Sequence, residues 1–244
     1  WEEFKFDQSL YVVGAEQTLH FQQLIAVLKK CKVGWESKME HVPFGLIRLN
    51  EGKLSTRQGR VITLYEVIEK AIGLAKTSIK AKNPSLENQE DVAKQIGVGA
   101  VVFHDLKHQR QKNVIFNWDE VLSFEGDTGP YLQYTHARCC SILRKSNFQP
   151  SKLSEADVED LAKNSELWVA IGRLPNNLKE AAEKREPMIL AHALLKIAAA
   201  GNGFYRDNKV IGAGSEKLEK SRLLAIDTLR KTLELGMQLL GVPA

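Results

Sequence analysis

Long apolar runs are missing from this 244-residue chain, so no membrane helix is expected, and no signal-peptide pattern opens it. Cysteine is scarce. Cys31, Cys139 and Cys140 show no metal-ligand spacing and suggest no disulfide framework. The adjacent Cys139 and Cys140 read as small core residues, and a reducing, cytoplasmic compartment is expected. No sign of charge dominates either. Against 30 Asp and Glu stand 34 Lys and Arg, a formal charge of +4 that permits a nucleic-acid partner without demanding one. The local cluster Lys107-His108-Gln109-Arg110-Gln111-Lys112 reads as a solvated surface. No internal repeat, low-complexity tract or dedicated metal-ligand set is visible.

What the chain does have is enough apolar sequence, 43% of residues, to bury one or two cores. It begins at Trp1, directly before a strand-like segment and without an initiator methionine, and is expected to be the C-terminal part of a longer protein. A boundary is expected near Ile115, dividing residues 1–115 from 116–244. Before it, strand-like runs at 10–13, 41–48 and 99–103 alternate with helical ones, which predicts α/β structure. After it nearly everything reads as helix, at 127–146, 155–161, 178–184, 188–200 and 215–240. The expected fold is an α/β remnant followed by an all-α bundle.

The richest stretch is Gly126-Asp127-Thr128-Gly129-Pro130-Tyr131-Leu132-Gln133-Tyr134-Thr135-His136-Ala137-Arg138. Asp127 and Thr128 are good N-cap residues, and Pro130 suits the first helical position, where no backbone donor is needed. At about 100° per residue, Tyr131, Tyr134, Thr135 and Arg138 share one face, whereas Leu132, Cys139 and Leu143 form a packing side. Two rings and a guanidinium suit unpaired bases and phosphate. The other reading is that both tyrosines simply pack, and periodicity leaves both open. His136 falls on the packing side and reads as structural, and Trp168 reads as core.

Upstream, Leu10-Tyr11-Val12-Val13 has a buried-strand pattern that Gly14 breaks, and Thr18 is placed to cap a helix with apolar positions Phe21, Leu24, Ile25 and Leu28. Strand, glycine turn and helix N-terminus make the crevice where doubly wound folds bind nucleotides. Glu16 can accept from ribose hydroxyls, Gln17 can donate and accept, and His20 can orient either. After residues 41–47 comes Gly52-Lys53-Leu54-Ser55-Thr56-Arg57-Gln58-Gly59, a loop whose Lys53 and Arg57 could close over a triphosphate or form an exposed polar turn.

The run from Gly129 to Arg138 resembles the hallmark that opens the anticodon-binding domain of arginyl-tRNA synthetases. Gly14-x-Glu16-Gln17-x-x-His20 is similar to the G-x-D-Q-x-x-H element of class I aminoacyl-tRNA synthetases, with Glu replacing Asp. The segment at Lys53 resembles the KMSKS loop of the same class: Lys53 and Ser55 match, Leu54 stands for Met and Thr56 takes the second lysine position, as in the K-M-S-T-R often found in arginyl enzymes. The resemblance implies a Rossmann-type catalytic remnant. Gly14, Glu16, His20, Phe44 and Gly45 would bind ATP, with Phe44 and Gly45 bordering the adenine. Gln17 would lie near the arginine side chain, and Lys53, Ser55 and Arg57 would serve catalysis.

It further implies that Tyr131, Tyr134 and Arg138 contact tRNA(Arg), that ATP enters with magnesium, and that arginine is the second small substrate. Phe204-Tyr205-Arg206-Asp207-Asn208-Lys209-Val210 and Ser221-Arg222-Leu223-Leu224-Ala225 resemble further family segments. Gly201 and Gly203 depart from the larger residues usual there and are expected to break their helix early. The HIGH signature of the class appears nowhere in these residues, so the chain alone is expected to lack aminoacylation activity. Two other readings stay open: a tRNA-binding module with a vestigial nucleotide site, and a helical interaction domain without RNA affinity.

Overall fold

The computed structural model describes residues 1–49, 63–146 and 158–244. Strand β1 (Ser9–Gly14) leads through a short 3-10 turn (Ala15–Gln17) into α1 (Thr18–Lys30), and the chain returns as β2 (Met39–Phe44). The two strands are parallel, as a helical crossover requires, and register sets Tyr11 beside His41 and Gly14 beside Phe44. Phe21 of α1 fixes the layer. Its ring packs 5.2 Å from Tyr11 and stacks 4.4 Å from His41, whose Nε2 lies 3.1 Å from the Val13 carbonyl oxygen.

The run expected as one strand at 41–48 is two. After Phe44 the chain changes partners: the Gly45 N–H donates to Arg110 O at 2.8 Å and the Leu46 N–H to Asn113 Oδ1 at 2.7 Å. Then β3 (Ile47–Leu49) pairs in parallel with β4 (Val114–Phe116), so Ile115 lies within a strand bonded to β3. The Gly45 backbone approaches so closely that a Cβ there would sit 2.3 Å from Lys112 O, which only glycine avoids.

Between β3 and β4 the chain forms a helical hairpin, α2 (Leu64–Lys82) and α3 (Gln89–Leu106). Thr63 and Glu66 start α2 with a reciprocal capping box. Residues 99–103, expected as a strand, lie inside α3. Its Ala93, Ala100 and Phe103 are fully buried, and a short apolar run enclosed on several sides gives no period to separate helix from strand.

After β4 and the short α4 (Trp118–Val121) the chain is helical: α5 (Gly129–Lys145), α6 (Val158–Ala162), α7 (Ser165–Gly172), α8 (Leu174–Lys184), α9 (Met188–Asp207) and α10 (Glu216–Leu239). Helices α5, α9 and α10 enclose one core that includes Leu132, Leu194, Ile197, Ile226, Leu229, Leu233 and Met237. Burying each such side chain stabilises the fold by about 1.5–3 kcal/mol. The expected α/β part followed by an all-α bundle is what the chain forms.

Two local expectations change. Thr18 does not cap α1. It is the first helical residue, and its hydroxyl donates to Ala15 O at 2.6 Å, closing the preceding turn. Nor does α9 stop at Gly201. It continues to Asp207, because Gly201 marks the contact with α10, where an added Cβ would come within 2.3 Å of Leu229.

Candidate functional site

Two groups of predicted residues can be placed in space. The first sits at the carboxyl ends of β1 and β2. Parallel register brings Gly14 next to Phe44, and Glu16, Gln17 and His20 follow on the turn and first helical turn beside them, all three exposed. The free N-terminus of α1 faces the same edge, where backbone donors and the helix dipole favour an anion. Phe44 remains 41% exposed, a flat apolar surface beside the strand ends. The Gly45 amide is already committed to Arg110 O, leaving Phe44 as the freer of that pair. Lys53, Ser55 and Arg57 lie outside the described residues.

The second group is built on α5. Its start is over-determined. The Thr128 hydroxyl oxygen accepts from the Tyr131 N–H at 3.1 Å, while that hydroxyl donates to Ser123 O at 2.6 Å. Gly129 and Pro130 form the first turn. Lys107 holds the preceding turn, donating to Asp127 O at 2.9 Å and to Glu120 at 3.0 Å. That is a correction. The Lys107 to Lys112 cluster is not simply a solvated face, because Lys107 is buried and Arg110 half-buried where α3 meets the bundle.

On the outer face of α5 the tyrosines differ. Tyr134 is 49% exposed, whereas Tyr131 is half-buried and its hydroxyl oxygen accepts from Asn202 Nδ2 at 3.0 Å. Asn202 also donates to Thr135 Oγ1 at 3.0 Å and accepts from Arg138 Nη1 at 2.9 Å. Arg138 thus donates its hydrogen bond to an amide oxygen on α9. Its guanidinium sits 4.8 Å from the Tyr134 ring centroid and 5.6 Å from that of Tyr205. Phe124 meets the Tyr134 ring edge-on at 6.3 Å, with Lys82 Nζ 4.3 Å above Phe124. Rings and cations therefore alternate across α2, α5 and α9, an arrangement that can stack a base and hold a phosphate.

The remaining expectations on α5 are met by burial. Leu132 and Cys139 are sealed in the core, and burial pushes the Cys139 thiol up to about 12, so it is an inert packing group. His136 is buried with Nε2 3.7 Å from Cys140 Sγ, and burial lowers its pKa. Trp168 packs on the core and donates Nε1–H to Leu161 O at 2.7 Å. Sequence reasoning passed over Asn202, Phe124 and Lys82. Asn202 stands between two glycines on a helix read as ending early, and nothing in its spacing pairs it with α5.

Among the described residues no group of three or more His, Cys, Asp or Glu could hold a metal ion, and no helix is long and apolar enough to cross a membrane.

Comparison with known proteins gives concordant matches. The family model for the catalytic domain of class I tRNA synthetases (R) matches residues 1–118, and that for the DALR anticodon binding domain matches residues 132–244. An arginine–tRNA ligase 1 of Bacillus cereus is 45% identical over 241 residues, covering 99% of this chain and 42% of the relative. The arginine–tRNA ligase of Enterococcus faecalis is 46% identical over 242 residues, with the same coverages of 99% and 42%. The solved arginyl-tRNA synthetase of Thermus thermophilus superposes with a TM-score of 0.87 at 32% identity, over 98% of this chain and 41% of that one. For that of Plasmodium falciparum the TM-score is 0.83 at 24% identity, over 99% of this chain and 41% of that one, a likeness of fold. The chain thus spans about 42% of the length of the curated relatives it matches.

Proposed function

The chain belongs to the arginyl-tRNA synthetase family, and on that premise we propose that it carries the anticodon-binding bundle and one wall of the adenylate-forming site of an arginine–tRNA ligase. Its architecture is that of part of a class I catalytic domain followed by a helical anticodon-binding domain. The division falls near residue 115. The whole enzyme activates arginine with ATP and transfers it to tRNA(Arg) in the cytoplasm. Magnesium enters on the triphosphate.

Each residue takes one task. Glu16 accepts from the ribose hydroxyls, His20 orients that contact, and Gly14 leaves the phosphates room at the α1 N-terminus. Phe44 and Gly45 border the adenine. Gln17 accepts from the arginine guanidinium through a neutral amide, which does not trap the product as a second carboxylate would. Lys53, Ser55 and Arg57 serve catalysis as donors to the α-phosphate as its charge develops, where one well-placed donor is worth roughly 3–4 kcal/mol. Tyr134, flanked by Tyr131, stacks an unpaired base of the tRNA, and Arg138 holds an adjoining phosphate.

The observation that carries this reading is the exposed Tyr134 ring with the Arg138 guanidinium poised above it, on the helix that opens the bundle. Binding of a tRNA(Arg) transcript tests it. Tyr134→Ala is expected to weaken binding by about 1–3 kcal/mol while the melting temperature holds. An unchanged affinity at fixed salt would instead favour a helical interaction domain without RNA affinity. ATP–pyrophosphate exchange by these 244 residues alone is expected at background, since they hold no HIGH-type element.

A further inference from the structure

On another face of the bundle, helices α7, α8 and α9 enclose a cavity of about 490 Å³, within the range of small-molecule sites. Its floor is apolar and small, made partly by Ile189, Ala193 and Ala200. Around it stand Arg173, His192 and Lys196, all exposed, with Asn177 half-buried among them. None of the three basic side chains has a hydrogen-bond or ion-pair partner among the described residues.

Several other cations of the bundle are paired. On α8, Lys179 and Lys184 pair with Glu183 and Glu180 one turn away, and on α10 Lys231 and Arg230 share Asp227. Solvated helix faces commonly carry such pairs. Helix α9 has no acidic residue before Asp207, so Lys196 has only His192 and Ala200 at four residues' distance. Among the described residues Glu166 is the one carboxylate on the cavity, and it contributes to the field at Arg206 on the next turns of α9.

One stripe of α9 leads from the cavity toward the ring-and-guanidinium face. His192, Lys196, Ala199 and Gly203 follow one stripe of α9, spaced four, three and four residues apart. Ala199 and Gly203 carry almost no side chain, so a phosphate backbone can cross the helix there toward Asn202 and Arg138. We propose that this cavity is a nucleotide-phosphate site, in which the apolar floor takes the base or sugar and Arg173, Lys196 and His192 hold the phosphate of a nucleotide in the bound tRNA. The proposal rests on the tRNA-binding reading above and adds a second anchoring point to it.

The test measures binding of a labelled tRNA(Arg) transcript to the 244-residue chain over a range of salt, beside binding of adenosine 5′-monophosphate alone. Arg173→Ala with Lys196→Ala is expected to lower the slope of log K against log salt by about 0.7, the value for one phosphate, and to weaken binding roughly fourfold near 0.15 M salt. Arg173→Lys with Lys196→Arg keeps the charge and should keep the slope. Thermal midpoints should agree, because both side chains are exposed. If the mononucleotide binds and the alanine pair abolishes that binding while the tRNA slope is unmoved, the phosphate site stands with a free nucleotide as its source. An unmoved slope together with no mononucleotide binding overturns the site. Should Tyr134→Ala also leave tRNA affinity unchanged, the tRNA reading fails on its own account, and the mononucleotide result alone decides the cavity.

Discussion

Arg138 of α5 and Asn202 of α9 meet side chain to side chain, Nη1 donating to Oδ1 at 2.9 Å. The same amide donates to Thr135 Oγ1 and to the Tyr131 hydroxyl, each at 3.0 Å, so one side chain orders three groups on the neighbouring helix. Thr135 is 1% exposed and its hydroxyl donates to Tyr131 O, which leaves Asn202 as the donor its oxygen accepts from.

Asn202→Ala should therefore cost more than a surface change. Removing the amide strands buried polar groups, a loss of about 1–3 kcal/mol, read as a lower urea midpoint with the same m-value. It should also weaken tRNA binding, because Arg138 loses the bond that holds it above Tyr134. Arg138→Ala should weaken tRNA binding further while disturbing the fold less, since Asn202 keeps its two donor bonds. Equal midpoints for Asn202→Ala and the unsubstituted chain would contradict this account.

Gly201 offers a second test. Alanine there gains about 1 kcal/mol of helix propensity but sets a methyl 2.3 Å from Leu229 Cδ2 and 2.9 Å from Cδ1. Leu229 is 1% exposed and has little room to turn away, so overpacking at about 1–3 kcal/mol wins. Gly201→Ala is expected to destabilise. Combined with Leu229→Ala, the loss should be smaller than the sum of the two singles, since each change makes room for the other. Strict additivity in denaturant titrations would show that the helices relax apart instead.

Stability should also fall on the acid side of neutrality because of His104. It is 3% exposed between His108 and Phe116, with ring centroids at 4.7 and 4.9 Å, and neither ring nitrogen has a protein partner. Burial first, then the neighbouring His108 and Lys107, lower its pKa to about 4, with Glu120 opposing weakly. In the unfolded chain the group titrates near 6.5. Between those values the unfolded state binds the extra proton, so stability is complete above about pH 6.5 and is lost as pH falls toward 4, by up to about 3 kcal/mol. His104→Phe should flatten that limb of the unfolding profile. An unchanged slope between about pH 6.5 and 4.5 would move the cause elsewhere, His136 being the next buried histidine.

These residues show where the sequence is readable. The α5 start was legible because Thr128 caps by a local rule and Leu132 and Cys139 follow helical spacing. The β1–turn–α1 unit was legible because Gly14 interrupts an apolar run next to a helical period. What escaped reading depends on contacts distant in sequence. Residues 99–103 look like a strand until α2 and α5 are seen to flank them. Gly201 looks like a breaker until Leu229 is seen against it. Lys107 looks solvated until Glu120 and the Asp127 carbonyl are placed around its ammonium. Asn202 has no local signature at all, because each of its partners lies on α5, more than sixty residues earlier.

Arg110 supplies the last prediction, since it ties the β1–β2 layer to the bundle. Its Nε donates to Arg185 O at 2.9 Å, its Nη1 donates to Pro43 O, and its backbone N–H donates to Glu186 Oε1 at 3.0 Å. Arg185 in turn reaches Gln8 at 2.6 Å and Glu40 at 3.6 Å. A guanidinium can span two carbonyls from fixed positions on one plane, and a lysine ammonium cannot. Arg110→Ala should leave two carbonyls without their donor, and Arg110→Lys should restore little of the loss. The signature is local: amide hydrogen exchange should quicken in β1 and β2 while α5, α9 and α10 keep their protection. Uniform loss of protection in both parts would show that they unfold as one unit, and rescue by lysine would reduce the role of Arg110 to its charge.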